Sequence, residues 1–194
     1  MRKGEESFIK KKMEDLSLHI LDIVENSLEA EAKTVNIRLE ENDEKDVLIL
    51  EIEDDGRGMD KKMVAGALDP FVTTRTTRRV GLGLPFLAEA ARSASGELTI
   101  RSQPGKGTKV RATFRLHHID IKPLGDIAQT MITLIVGYPE VDFLYSHRVN
   151  RSRYIFNTRD FRKQLDGIPI HTPQITAFIR KNIKDGIDQL RRKN

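Results

Sequence analysis

The sequence predicts an α+β domain, and three observations point there. Residues 34–39 and 46–53 alternate apolar and polar side chains as strands do. A two-faced helical pattern over residues 15–32 precedes them, and glycine clusters stand where strand gives way to turn and where loop gives way to helix. The chain has 194 residues, 38% hydrophobic and 32% charged, which suits one medium domain with an extension. Its formal charge of +4 collects at the tips, in Arg2, Lys3 and Lys10 to Lys12 and in Arg191 to Lys193, a placement that suits solvated ends better than a nucleic-acid site. With no cysteine there is neither disulfide nor thiolate metal site. The longest apolar run, residues 131–136, is too short to cross a bilayer and no signal core follows Met1, so the expected address is the cytoplasm, with no membrane partner.

Residues 1–12 are polar and expected to fray. In the first helix Leu16, Ile20, Leu21, Val24 and Leu28 share one arc, and Asp15, His19, Asp22, Asn26 and Glu29 the other. Asn26 with acidic groups one turn away forms a ledge that could hold a magnesium ion beside phosphates, the amide oxygen being a hard ligand. A strand over 34–39 turns at Asn42-Asp43 into the strand over 46–53, which ends in Asp54-Asp55-Gly56-Arg57-Gly58-Met59. A buried strand ending this way delivers a carboxylate to a pocket wall and then turns sharply. Asp54 can accept a hydrogen bond from an amino group such as adenine N6, and the glycines let a ligand lie against bare backbone.

The spacing predicts a short helix over 61–68, stopped by Asp69-Pro70-Phe71. Residues 71–80 lack periodicity and set Arg75, Arg78 and Arg79 among hydroxyls that include Thr74, a loop suited to phosphate oxygens. It runs into Gly81-Leu82-Gly83-Leu84 and a helix over 85–93, whose first amides favour an anion. Strands over 97–102 and 108–116 flank the turn Gln103 to Gly107. Neither glycine cluster fits the Walker or the dinucleotide fingerprint.

Five stretches stand together in order: Asp22-Ile-Val-Glu25-Asn26-Ser-Leu-Glu-Ala, Asp54-Asp-Gly56-Arg-Gly58-Met59, Asp69-Pro-Phe-Val-Thr-Thr74-Arg75, Gly81-Leu82-Gly83-Leu and Pro104-Gly105-Lys-Gly107-Thr108. Their order and spacing resemble the GHKL ATPases, the superfamily of gyrase B, Hsp90, sensor histidine kinases and MutL-type repair proteins. The asparagine helix resembles MutL; the Phe-x-Thr-Thr-Arg segment and the Pro-Gly-x-Gly-Thr hairpin are similar to histidine kinases. The resemblance covers residues 15–116 and implies the Bergerat fold, a two-layer α/β sandwich with a mixed sheet, binding ATP and Mg2+. By the same resemblance Asn26 binds magnesium and Asp54 reads adenine N6, with Gly56, Gly58 and Met59 around the base and Thr108 supporting it through water. Gly81, Leu82 and Gly83 offer amides to phosphate, and Thr74 with Arg75, Arg78 or Arg79 meets the terminal phosphate.

Two departures stand out. Where ATP-hydrolysing relatives carry a glutamate base, four residues before the asparagine, this chain has Asp22, shorter by about 1.5 Å; Glu25 is the substitute. Arg79 replaces the first glycine of the second glycine box. A third difference lies in the histidines, since neither His19 nor His117-His118 resembles a phosphoacceptor motif. After Leu116, residues 117–194 read as a small α+β extension: a helix over 124–136, strands over 141–145 and 153–156 around Asn150, and an amphipathic helix over 172–190 with Ile175, Ile179, Ile183, Ile187 and Leu190 inward. The sequence therefore suggests a stand-alone histidine-kinase-like ATP-binding protein, switched by nucleotide with slow hydrolysis, and acting on a protein partner or a second copy. Phosphorylation of a partner in trans, and nucleotide sensing without chemistry, are the alternatives.

Overall fold

The computed structural model describes residues 15–68 and 82–192. The expected fraying of residues 1–12 and the loop residues Thr74, Arg75, Arg78, Arg79 and Gly81 lie outside them. The elements run α1 (Leu16–Glu29), β1 (Thr34–Asn42), β2 (Val47–Asp54), α2 (Lys61–Gly66), α3 (Gly83–Ser93), β3 (Leu98–Ser102), β4 (Thr108–Arg115), α4 (Ile127–Gly137), β5 (Asp142–Val149), β6 (Ser152–Asn157), α5 (Thr158–Lys163) and α6 (Pro173–Arg192).

Among the described residues the strands form one six-stranded sheet in the order β3-β4-β2-β1-β5-β6. Every neighbouring pair is antiparallel except β1 and β5, which run parallel with Thr34 opposite Asp142 and Glu41 opposite Val149. The sheet is mixed, open and covered by helices on one face, the two-layer α+β arrangement the resemblance implied. Period-two alternation fixes which face is covered. Val35, Ile37 and Leu39 of β1 stand level with Ile52 and Leu50 of β2 and with Phe143 and Tyr145 of β5, and all are buried. Against them pack Ile20 and Val24 of α1, Leu87 of α3, Met131 of α4 and Ile179 and Ile183 of α6 in one continuous core. The opposite face carries charges that pair across strands, Lys109 with Glu53 at 2.7 Å and Arg111 with Glu51 at 3.2 Å.

Residues 117–192 share this sheet and this core rather than packing on its outside. Their strands are longer than the periodicity suggested, because hydrogen bonding to β1 carries β5 on to Val149. The short helix α5 was not anticipated. Its Asn157 cap accepts from the Arg159 amide at 2.9 Å, and Thr158 Oγ1 accepts from the Phe143 amide at 2.8 Å. Arg162 pairs with Asp142 and donates to the Pro139 and Val141 carbonyls, clamping the start of β5.

One assignment on α1 needs correction. Helical periodicity puts His19 on the polar arc, yet it is 2% exposed. The segment ahead of α4 runs alongside that turn of the helix: the Leu16 and Ser17 amides donate to the Pro123 and Leu124 carbonyls, both at 2.9 Å. The buried stripe follows Leu16, Ile20, Ile23, Val24 and Ser27, with Leu21 and Leu28 only half-buried.

Candidate functional site

β2 ends on the covered face at Asp54, which is 9% exposed. Its Oδ1 accepts from the Gly56 amide at 2.9 Å and the Thr108 amide at 3.2 Å, and its Oδ2 accepts from the Ser27 hydroxyl at 2.7 Å. A carboxylate has about four acceptor positions. Among the described residues three are used, all from inside the fold, which leaves one on Oδ2.

The turn that follows β2 is held by the β3–β4 hairpin. Gly58 has φ +68°, and a Cβ there would stand 2.1 Å from the Gln103 carbonyl oxygen. Gly107 has φ +81°, and its Cβ would come within 1.9 Å of the Asp54 carbonyl oxygen, so two backbones touch where any other residue would force them apart. Met59 donates its amide to Ser102 Oγ at 2.7 Å, and Ser102 Oγ lies 2.9 Å from both the Gly107 carbonyl oxygen and Thr108 Oγ1. Gly56 packs against Ala30 at the end of α1. Thus Asp54, Gly56, Gly58, Met59 and Thr108 come together in one small region.

The second half of the site lies on α1. Ser27 ties the helix to Asp54 through its hydroxyl, and Asn26 is the residue before it. Asp22, Glu25, Asn26 and Glu29 follow at steps of three and four along the same helix, the first three half-buried. Over Asp22 sits the first turn of α3: a Cβ on Gly83 would lie 3.0 Å from the Asp22 Cβ. Leu82 occupies the cap position of α3 with no side-chain hydrogen bond. The start of α3 thus stands close to Asp22 of α1, and the first amides of a helix favour an anion.

Sequence reasoning missed three contributors. Ser27 and Ser102 are single hydroxyls with no motif of their own, although both neighbour motif residues, one beside Asn26 and the other opposite Thr108 in the strand register. Asp55 is the third. Its Oδ1 accepts from the Lys33 amide at 2.7 Å and the Thr34 amide at 2.8 Å, tying the turn to the start of β1. Partial burial opposes its charged form, but these amide bonds outweigh it and hold the carboxyl below its ordinary value. The histidines are also placed. His147 is fully buried between Glu41, 2.7 Å from Nε2, and Tyr145, 3.0 Å from Nδ1, while His117 Nε2 lies 3.4 Å from Asp43.

Residues 12–118 match the family model of the histidine kinase-, DNA gyrase B- and HSP90-like ATPases. Over 110 residues the chain is 37% identical to the sensor protein kinase FleS of Pseudomonas aeruginosa, covering 57% of this chain and 27% of that one. Over 109 residues it is 31% identical to the sensor histidine kinase WalK of Bacillus subtilis, covering 52% of this chain and 18% of that protein. Among solved structures, the N-terminal domain of a DNA repair protein is similar with a TM-score of 0.54 and 14% identity, over 73% of this chain and 51% of that one, a likeness of fold. The chain thus spans about a quarter or less of the two kinases.

Proposed function

Because the chain belongs to the histidine kinase-, DNA gyrase B- and HSP90-like ATPase family, we propose that it is a cytoplasmic ATP- and magnesium-dependent switch that hydrolyses ATP slowly and acts on a protein partner. The histidine-kinase-like ATP-binding domain is the part the family membership establishes. Its use as a switch is our reading, and it rests on a nucleotide site whose leading observation is Asp54, oriented by Ser27, Gly56 and Thr108 with one acceptor position to spare. That position suits the exocyclic amino group of adenine, which donates and cannot accept.

Asn26 stands one residue from the Ser27 anchor and would supply an oxygen to magnesium. Among the described residues no group of three or more His, Asp or Glu is gathered for a metal, so the ion would take its other ligands from phosphate and water, as magnesium does. When bound it neutralises phosphate charge. The amides opening α3 bind phosphate oxygens, and an acid on α1 orients the attacking water. Asp22 lies under Gly83, whereas Glu25 is longer and adjoins Asn26; either can hold the water. Asp22→Asn and Glu25→Gln should be compared for turnover at saturating ATP, with phosphate release as the readout. Loss in only one names the base, and full turnover in both refutes acid-assisted hydrolysis by α1.

A second reading is phosphate transfer to a partner, favoured by the identity to two sensor kinases. His19 and His147 are 2% and 0% exposed and His117-His118 does not resemble a phosphoacceptor motif, so the acceptor we infer is on another protein. Terminally labelled ATP separates the readings: free phosphate alone supports the switch, label on a co-purifying protein supports transfer, and ATP intact after long incubation refutes both.

A further inference from the structure

α6 shows two faces to the rest of the molecule. Ile179, Ile183 and Leu190 are buried toward β5 and β6. A second stripe, recurring every three or four residues from Pro173 to Arg191, faces α4 across a groove of about 890 Å³. The floor of the groove is apolar, with half-buried Ile132 from α4 and Ile187 from α6. The rim is cationic. Arg180 is engaged by Asp126 at 3.3 Å, which leaves Lys181, Lys184 and Arg191 facing Asp188 as the other acid of the lining.

We propose that this groove docks an acidic amphipathic helix of a partner protein. The stripe of α6 spans about five turns, roughly 27 Å at the helical rise, so it can seat a helix of comparable length along its whole run. Apolar side chains one helical face wide would cover Ile132 and Ile187, and flanking carboxylates would meet Lys181, Lys184 and Arg191. Charge disfavours the nearer occupants. Residues 1–14 of this chain carry five Lys and Arg against three Glu, and a second copy would bring the same cationic stripe and a net charge of +4. A nucleic acid would satisfy the rim but lay phosphate and sugar on an apolar floor, and a planar membrane does not enter a concave groove. The inference rests on the partner reading above for its biological role, while occupancy of the groove does not itself require ATP.

The test uses the full chain and a fluorescent, helix-stapled 16-residue peptide with leucines at positions i, i+3, i+4 and i+7 and glutamates on the flanks, read by anisotropy with and without ATP and magnesium. Its controls are the same peptide with Lys for Glu, a scrambled peptide, a DNA oligonucleotide and phosphatidylserine vesicles. The acidic amphipathic peptide should bind at least tenfold more tightly than the scrambled and lysine forms, and Lys181→Glu/Lys184→Glu should reverse the preference while leaving ATP affinity unchanged. Loss of peptide binding beside intact ATP binding separates a failure of this site from a failure of the nucleotide reading. Equal binding of the scrambled peptide, indifference to the charge reversal, or tighter charge-dependent binding of the oligonucleotide or the vesicles would each overturn the proposal.

Discussion

Asp54 and Asp55 are adjacent and identical, yet the end of β2 sends one carboxylate inward to Ser27 and Thr108 and the other out to the Lys33 and Thr34 amides. Their neighbours, not their chemistry, separate the acid we propose reads adenine from a backbone clamp. Asp54→Asn tests this sharply. The amide oxygen can still accept from the Gly56 and Thr108 amides and its NH2 can donate to Ser27, so the fold should melt as before. The position left for adenine, however, becomes a donor facing a donor. ATP should weaken by about 1.5–3 kcal/mol in calorimetry, and an unchanged affinity would remove Asp54 from the adenine site. His19 poses a different question. Burial pushes its pKa below the ordinary 6.5, against the raising pull of Asp22 and Asp15 and together with Lys122. Its Nδ1 has no hydrogen-bond partner among the described residues. The folded protein therefore holds it neutral while the unfolded chain protonates it. That contribution to stability is fully present above about pH 6.5 and is lost as pH falls through the lowered folded value. Urea unfolding at pH 7 and pH 5 should show a larger loss in the wild type than in His19→Leu, and parallel losses would refute the assignment. At this scale Asp54 was legible as the carboxylate that ends a buried strand. Ser27, Ser102 and His19 were not, since their roles come from residues far along the chain.

Helices and strands were legible wherever the apolar period was long. α1, β1, β2, β4 and α6 all have both ends within three residues of the bounds that periodicity assigns. The misses have local physical causes. α5 has one and a half turns, too few for a period to register, and it is stabilised by its Asn157 cap and by Arg162 reaching back to β5. α6 shows how packing overrides propensity. From sequence, Gly186 weakens the helix, but a Cβ there would lie 2.2 Å from the ring of Tyr154, and that ring is anchored through its hydroxyl to Asn182 at 2.7 Å. Gly186→Ala gains about 1 kcal/mol of helix propensity and meets an overpacking cost of about 1–3 kcal/mol. The net effect should be destabilising in urea unfolding, and adding Tyr154→Leu should recover part of it. A stabilised single mutant would mean that the ring moves aside freely.

The whole molecule is organised by one contact that no local pattern reveals, the parallel pairing of β1 with β5 across about a hundred residues of chain. Sequence reading divides the protein after Leu116 and expects residues 15–116 to bind ATP alone, because every nucleotide motif ends by Thr108. The shared sheet argues otherwise. A chain ending after Leu116 would leave β1 as an edge, with the backbone amides and carbonyls that face β5 unpaired toward solvent, the exposed strand that invites aggregation. It would also uncover Val35 and Ile37 where Phe143 and Tyr145 had packed, and would strip from α1 the Pro123 and Leu124 carbonyls that receive its first amides. α1 carries Asp22 and Asn26, so disorder at its start reaches the site. We therefore expect the shortened chain to sediment as aggregate or to melt without a cooperative transition, with ATP affinity lost alongside the fold, and the full chain to unfold in one step. A soluble, monomeric 15–116 fragment that binds ATP as tightly as the full chain would show that the nucleotide half folds by itself and that β5 is an addition to a finished sheet.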